Sequence, residues 1–243
     1  MRGSTMNIAV IFAGGTGQRM NTKTKPKQFL ELHGKPILVY TLEAFNNHPE
    51  IDGIVLAVLE DWIGCCEELV SMFHLHKVKA VIAGGSTALE TQRNGLRKAE
   101  ELFGKDSVVL IHDGVRPLID DLTISRNIES VKERGSAITV TPAIETITIK
   151  TETGEVGQII ERSKVEMARA PQSFRLSDIL EAHRKAEEEG LTFIDSASLM
   201  RHFGYKLYTI EGAPENIKIT TPNDFYTFRA LVDARENSQI FGI

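Results

Sequence analysis

The sequence predicts an α/β fold in which helices cover both faces of a doubly wound, mostly parallel β-sheet. Two observations support this prediction. Short runs of apolar, β-branched residues are nearly continuous rather than alternating, which is typical of strands buried on both faces. Between these runs lie amphipathic stretches with helical spacing of their apolar residues, and repeated strand–helix alternation indicates a parallel sheet.

Six strands and seven helices follow from these patterns in chain order, apart from one segment described below. The strands are predicted at residues 8–12, 53–58, 78–82, 107–111 and 136–140. Helices are predicted at residues 36–45, 61–73, 87–103, 123–134, 175–189 and 195–203. A short strand at 206–210 and a last helix that begins at Thr221-Pro222 complete the chain. Thr221 is expected to cap this helix, and the ring of Pro222 fixes a backbone angle that suits its first turn.

One segment departs from the alternation of strands and helices. Residues 146–151 alternate in polarity, a Thr153-Gly154-Glu155 turn follows, and 156–160 reads as a second strand. The pattern predicts an antiparallel hairpin arm over about residues 142–163. From these residues alone the hairpin is either a plain edge hairpin or an arm that reaches a second subunit, because an isolated hairpin is marginally stable.

Length and composition limit the class of protein. With 243 residues, 42% of them hydrophobic, we expect one globular domain over residues 6–243, preceded by an expression leader at 1–5. No run approaches the ~20 apolar residues of a membrane span. A net charge of −5 argues against a general nucleic-acid binder. Cys65 and Cys66 are adjacent, so they predict neither a disulfide nor a metal cluster, which fits a cytoplasmic protein.

Ligands of open α/β sheets bind beyond the carboxyl ends of the strands. The first strand ends in the glycine-rich residues 13–17, whose backbone N–H groups suit phosphate oxygens. Arg19 and Lys27 would neutralise a polyphosphate there. The spacing is that of neither a P-loop nor a dinucleotide fingerprint. A second loop, residues 84–87, is either part of this site or an ordinary loop that caps the next helix.

The fourth strand supplies a carboxylate to the same edge of the sheet. Asp113 is a natural Mg²⁺ ligand beside substrate phosphates, although a surface ion pair with Arg116 is the alternative. Arg116 would hold a second anionic group, and Lys218 is a further candidate cation. A triphosphate pocket, a metal carboxylate and separate cations together suit nucleotidyl transfer, which depends on positioning and charge neutralisation.

Segments along nearly the whole chain resemble the cytidylyltransferases that activate polyol phosphates. The matching segments are residues 13–20 (AGGTGQRM), 26–29 (PKQF), 34–36 (GKP), 112–117 (HDGVRP), 170–174 (APQSF) and 216–222 (NIKITTP). The resemblance implies a Rossmann-like nucleotidyltransferase sheet with a projecting hairpin. It implies Mg²⁺-dependent transfer of a cytidylyl group from CTP to a polyol phosphate, with release of pyrophosphate and formation of a CDP-polyol.

The resemblance also implies residue roles. Arg19, Lys27 and Lys218 would be catalytic, and Asp113 would bind Mg²⁺ and, with Arg116, the acceptor. Thr146 and Arg162 match residues that reach the acceptor phosphate of a neighbouring subunit, which implies a homodimer formed through the arm. The nucleotide would be bound by Ala13, Gly14, Gly15, Thr16, Gly17, Gln18, Gly85 and Thr91.

Two residues depart from the family pattern and leave the acceptor open. Ala88 stands where the family usually has Arg, and Ala170 stands where it has Thr. The sequence favours D-ribitol 5-phosphate, a precursor of teichoic acid or capsule, as the acceptor. The alternative is 2-C-methyl-D-erythritol 4-phosphate of isoprenoid synthesis, and a more distant one is a non-catalytic nucleotide-binding protein.

Overall fold

A seven-stranded sheet forms the centre of the protein, which we describe from a computed structural model for residues 5–15 and 25–241, with side chains to residue 237. The strands are β1 (Asn7–Ala13), β2 (Glu31–Leu32), β3 (Lys35–Pro36), β4 (Gly53–Val58), β5 (Val78–Ala83), β6 (Val108–Asp113), β7 (Ser136–Pro142), β8 (Ile147–Lys150), β9 (Val156–Ile160), β10 (Glu166–Arg175) and β11 (Thr209–Glu211). The helices are α1 (Ile37–Asn47), α2 (Ile63–Met72), α3 (Ala88–Phe103), α4 (Asp121–Arg134), α5 (Leu176–Glu188), α6 (Ser196–His202) and α7 (Pro222–Phe241).

The strand order in the central sheet is β11-β7-β10-β6-β1-β4-β5. All neighbouring strands are parallel except β10, which runs antiparallel between β6 and β7. The predicted α/β class with a doubly wound, mostly parallel sheet is therefore confirmed. The proposed leader falls largely on residues 1–4, which lie outside the described residues.

Strand β10 was not predicted from the sequence. It contains Pro171, which lacks the N–H group that a ladder needs, and its register to β7 shifts between Ala168 and Gln172. A proline and a register shift are not part of the residue pattern that predicts a strand, so the sequence does not indicate β10, although the sheet accommodates both features. The strand predicted at 206–210 is also corrected, because only Thr209–Glu211 pairs with β7. The short pair β2–β3 was not predicted either.

The core lies on both faces of the sheet, as continuous apolar strands require. In β1, Ala9 and Ile11 point to the face covered by α1, α2 and α4, and Ile8 and Val10 point to the face covered by α3, α5 and α6. All four residues are fully buried. The two cysteines are free and lie in α2. Among the described residues, no helix combines the length and the apolarity that crossing a membrane requires.

The predicted hairpin is present as a separate two-stranded sheet of β8 and β9. Three apolar side chains of this hairpin, Ile149, Val156 and Ile159, are 48%, 65% and 66% exposed. A hairpin that shows so much apolar surface has little packing of its own. The hairpin is therefore separate from the central sheet and leaves these apolar side chains exposed.

A third apolar cluster fixes the last helix beside the carboxyl end of β6. Phe228 of α7 packs with Ile37, Val115 and Ile219. The backbone N–H of Ile219 donates to the carbonyl of Val115 at 2.9 Å. The segment before α7 is thus held against the loop that follows β6, and this places Lys218 next to Asp113.

Candidate active site

Two adjoining cavities lie where the sequence predicts the site, beyond the carboxyl ends of β1, β5 and β6. The glycine cavity, of about 220 Å³, is lined by Ala13, Gly14, Gly15, Lys27, Gly85 and Thr91. The polar cavity, of about 170 Å³, is lined by Gln92, Arg116, Arg169, Gln172, Asp195 and Ser196. Phe12, Ala88, Asp113 and Lys218 line both cavities, so the two form one continuous site.

Thr91 is hydrogen-bonded to the second glycine loop and lies close to the first. Its Oγ1 accepts a hydrogen bond from the N–H of Gly85 at 3.0 Å and donates to the carbonyl of Thr87 at 2.8 Å. A Cβ atom on Gly84 would lie 2.9 Å from that oxygen, and one on Gly14 would lie 3.3 Å from it. Side chains at these positions would push Thr91 away, so the glycines allow the backbone of both loops to line the cavity.

Lys27 and Gln28 close the other side of the glycine cavity. Both belong to a short 3-10 helix, and Gln28 Nε2 donates to the carbonyl of Ala13 at 2.7 Å. Gln28 is buried, so this bond ties the turn firmly to the end of β1. Lys27 is 9% exposed and lines the cavity. A buried lysine at the wall of a cavity is suited to a phosphate group.

Asp113 is paired with a cation through each of its carboxylate oxygens. Oδ2 accepts from Arg116 Nε at 2.7 Å, and Oδ1 accepts from Lys218 Nζ at 2.6 Å. Burial acts to raise the pKa of Asp113, but the charges of Arg116 and then Lys218 outweigh it and lower the pKa to about 2. The carboxylate is therefore ionised at neutral pH. The ion pair with Arg116 exists but is buried rather than on the surface.

His112 and Arg116 connect the ion pair of Asp113 and Arg116 to the surrounding segments. Burial lowers the pKa of the His112 imidazole to about 4, so the ring is neutral, and its Nε2 lies 3.1 Å from the carbonyl of Arg116. Arg116 Nη1 donates to the carbonyl of Asn216 at 3.1 Å. Asn216 Nδ2 in turn donates to the carbonyl of Ala170 at 2.6 Å. The position of Arg116 thus depends on three segments that are far apart in sequence.

Part of the wall of the polar cavity is a set of hydrogen-bonded polar side chains around the start of α6. Asp195 is the N-cap of α6, accepting from Ser198 N at 2.8 Å, and its Oδ2 accepts from Gln172 Nε2 at 2.9 Å. Ser196 Oγ donates to Gln92 Oε1 at 3.0 Å. The sequence analysis assigned no role to any of these side chains. Gln172 lay within a matching segment, and Asp195 carried the signal of a helix cap.

Arg169 adds a further positive charge to the polar cavity. It extends from β10, and its Nε donates to Thr141 Oγ1 at 3.3 Å. Burial, followed by the neighbouring charge of Arg116, lowers the pKa of its guanidinium. Two guanidinium groups that repel each other at one cavity favour an anionic ligand between them. Arg169 was missed because the strand that carries it was missed.

The structure brings most of the predicted residues together and leaves others apart. Thr16, Gly17, Gln18 and Arg19 lie outside the described residues. Thr146 and Arg162 are exposed and line neither cavity. Both lie at the base of the hairpin, where Arg162 Nη1 donates to the carbonyl of Ile144 at 3.1 Å. The two departures from the family pattern, Ala88 and Ala170, both line the polar cavity. The cavities bring together Ala13, Gly14, Gly15, Lys27, Gly85, Thr91, Asp113, Arg116 and Lys218.

The family model described as IspD, 2-C-methyl-D-erythritol 4-phosphate cytidylyltransferase, matches residues 7–234 of the chain. A ribitol-5-phosphate cytidylyltransferase of Streptococcus agalactiae is 53% identical over 98% of this chain and 100% of its own. One of Vibrio parahaemolyticus is 52% identical, with the same coverage. A 2-C-methyl-D-erythritol 4-phosphate cytidylyltransferase of Clostridium acetobutylicum is 39% identical over 93% of this chain and 97% of its own.

Solved structures agree with these sequence matches. The 4-diphosphocytidyl-2C-methyl-D-erythritol synthase of Anaerococcus prevotii superposes with a TM-score of 0.82 at 25% identity, over 94% of this chain and 96% of that one. The 2-C-methyl-D-erythritol 4-phosphate cytidylyltransferase of Thermus thermophilus gives a TM-score of 0.74 at 27% identity, over 93% and 98% of the two chains.

Proposed function

Because the chain belongs to the IspD family of cytidylyltransferases, we propose that it transfers the cytidylyl group of CTP to D-ribitol 5-phosphate, forming CDP-ribitol and pyrophosphate. The choice of acceptor is supported by relatives named for ribitol 5-phosphate, which are 52–53% identical over the full chain, against 39% for one named for 2-C-methyl-D-erythritol 4-phosphate. Both departures from the family pattern also lie at the polar cavity, where the acceptor would bind.

The observation that carries the proposal is the junction of the two cavities. Asp113 and Lys218 line both of them, with Lys27 on the glycine side and Arg116 on the polar side. Nucleotidyl transfer requires two polyanions to approach each other, so cations are needed at their meeting point to neutralise the negative charge. CTP would occupy the glycine cavity, and the acceptor would occupy the polar cavity.

In the proposed reaction an oxygen of the acceptor phosphate forms a bond with the α-phosphorus of CTP. The bond from that phosphorus to the bridging oxygen of the β-phosphate breaks, and its electron pair leaves with pyrophosphate. Lys27 and Lys218 would neutralise the charge that develops, as would Arg19, and Arg116 would hold the acceptor. The nucleotide would be bound by residues 13–18 and Gly85 of the two glycine loops, mainly through their backbone, and by the Thr91 hydroxyl.

We propose Mg²⁺ as the cofactor, with Asp113 as its ligand. The carboxylate is ionised, and each of its oxygens has one hydrogen bond, so lone pairs remain for an ion. Mg²⁺ commonly binds through one carboxylate together with substrate phosphates, and the donor set here fits that mode. When bound, the ion would neutralise part of the charge of the triphosphate.

We further propose that the protein is a homodimer in which the arm completes the partner's site. The arm exposes apolar side chains, including Ile144 at 75% and Ile159 at 66%. Thr146 and Arg162 lie at its base and away from the cavities of their own chain. An arm of this kind is stabilised by packing against a second subunit. A cytoplasmic location is supported by the two free cysteines.

The acceptor is tested by following pyrophosphate release from CTP and Mg²⁺ with each polyol phosphate in turn. We expect release with D-ribitol 5-phosphate at a kcat/KM at least about tenfold above that with 2-C-methyl-D-erythritol 4-phosphate. The reverse order would assign the chain to the isoprenoid reaction. Binding of CTP without release with either acceptor would contradict catalysis altogether.

The shared site is tested by mixing two inactive variants, Arg162→Ala and Asp113→Asn. Each homodimer has two defective sites, but a mixed dimer has one site with an intact Asp113 and an intact arm from its partner. We expect subunit exchange to restore roughly a quarter of the wild-type rate. A mixture that stays inactive after exchange, confirmed with a tagged subunit, would contradict the contribution of the arm. Sedimentation velocity measures the dimer itself.

A further inference from the structure

Gln92 presents to the polar cavity an amide nitrogen that no other described residue binds. The residue lies on α3, is 6% exposed, and lines the polar cavity. Its Oε1 accepts from Ser196 Oγ at 3.0 Å. Its amide nitrogen has no hydrogen bond to any other described residue. The amide nitrogen is therefore available to donate hydrogen bonds to a ligand that enters the cavity.

Ser196 offers the complementary group beside that amide. Its hydroxyl hydrogen is used by Gln92, so its oxygen has lone pairs left to accept from a ligand. Ser196 is itself buried, at 1% exposed, and follows the N-cap residue of α6. A donor and an acceptor that lie side by side match hydroxyl groups, since each hydroxyl both donates and accepts.

Two of the hydrogen-bonded groups that line the polar cavity differ in charge. One contains the charges of Asp113, Arg116 and Lys218. The other contains the uncharged pair Gln92 and Ser196. A polyol phosphate divides its chemistry in the same way, with a dianion at one end and a chain of hydroxyl groups at the other. The charged group suits the phosphate, which leaves the uncharged pair for the polyol.

We propose that Gln92 and Ser196 recognise hydroxyl groups of the polyol chain and determine which polyol phosphate the enzyme accepts. The inference rests on the proposed function and adds specificity residues to it. Ribitol 5-phosphate carries a hydroxyl on every carbon except the phosphorylated one. The alternative acceptor, 2-C-methyl-D-erythritol 4-phosphate, has a main chain that is one carbon shorter, and it carries a methyl branch in place of part of that hydrogen-bonding surface. An acceptor that does not reach the pair leaves Gln92 unpaired, and such a site rejects it strongly.

The test combines variants with a shortened acceptor. Gln92→Leu removes the amide at similar volume, Ser196→Ala removes the hydroxyl, and Ser130→Ala is the matched control. Ser130 is a buried serine on α4 that donates to the carbonyl of Ser136 at 2.8 Å, away from both cavities. For each protein, KM and kcat are measured with ribitol 5-phosphate and with erythritol 4-phosphate, which lacks one hydroxyl-bearing carbon.

With ribitol 5-phosphate we expect Gln92→Leu and Ser196→Ala to lower kcat/KM about tenfold, mainly through KM. With erythritol 4-phosphate the same variants should change kcat/KM less than about twofold, and the KM for CTP and the Ser130→Ala control should stay at wild-type values. If Gln92→Leu does not fold, Gln92→Glu keeps the acceptor for Ser196 and removes the amide donors. Equal losses with both acceptors, or no loss with either, would overturn the inference. A wild-type protein inactive with ribitol 5-phosphate would overturn the proposed function as well.

Discussion

Asp113 is one of the four residues that line both cavities. It holds Arg116 through one oxygen and Lys218 through the other, and its side chain is only 9% exposed. Without the carboxylate, the two cations would repel each other in a buried site where water screens their charges only weakly. The same group therefore positions the cations and remains available to a metal ion.

Replacing Asp113 with asparagine should remove activity while leaving most of the fold. The amide is neutral and its single NH2 group faces one of the two cations, so the pairing of both cations and the proposed metal ligand are lost. We expect kcat/KM to fall at least about hundredfold, measured as pyrophosphate release with Mg²⁺. The control is Asp106→Asn, an exposed aspartate away from the cavities. Wild-type turnover in Asp113→Asn with native circular dichroism would contradict the role of Asp113.

At the scale of elements, the start of α7 controls where Lys218 lies. Asp224 Oδ2 accepts from the backbone N–H groups of Thr220 at 2.8 Å and Thr221 at 2.7 Å. Thr221 Oγ1 accepts from the N–H of Asp224 at 3.4 Å, so the predicted threonine cap is present but long. Asp224 thus satisfies more of the free N–H groups than the residue that the sequence indicated.

Removing the side chain in Asp224→Ala should loosen this end of α7. Two backbone N–H groups lose their acceptor, so we expect the free energy of unfolding to fall by about 1 kcal/mol. Urea denaturation measures the change, and Asp106→Ala is the control at an exposed site. An unchanged denaturation midpoint would show that water replaces the carboxylate without cost. Because the pKa of Asp224 is lowered in the fold, the difference between the variant and wild type should shrink as pH falls below the ordinary aspartate range.

Elements with a strong local pattern could be predicted, and β10 could not. The strands at residues 8–12 and 53–58 carry no polar side chain, so a run of adjacent residues is enough to predict that they are buried. Strand β10 contains Pro171 and a shift of register, and only its pairing with both β6 and β7 reveals it as a strand. The site residues that it carries, Arg169 and Gln172, were missed for the same reason.

At the scale of the whole molecule, two buried histidines make the fold sensitive to acid. Burial lowers the pKa of His112 and of His183 to about 4, and Arg93 and Arg97 add to the effect at His183. The folded protein therefore binds fewer protons than the unfolded chain between about pH 6.5 and 4. Stability is complete above that window and falls as pH decreases through it.

His183→Leu tests this effect away from the active site. The variant removes the titrating group, so its free energy of unfolding should fall less between pH 7 and pH 4 than that of wild type, by up to about 3 kcal/mol. Urea denaturation at both pH values gives the comparison, and His76→Leu, at an exposed histidine, is the control. Parallel decreases in wild type and His183→Leu would show that other groups cause the acid sensitivity.

The sequence by itself determined the α/β class, the hairpin and the identity of the charged residues at the strand ends, because these depend on patterns among neighbouring residues. It also showed that a chain of net charge −5 carries Lys27, Arg116 and Lys218 in segments suited to anions. Only the tertiary structure decided that Asp113 lines both cavities, and that Gln92 meets Ser196 across 104 positions of the chain. Contacts between distant segments arise from how the sheet orders its strands, and no local pattern records that order.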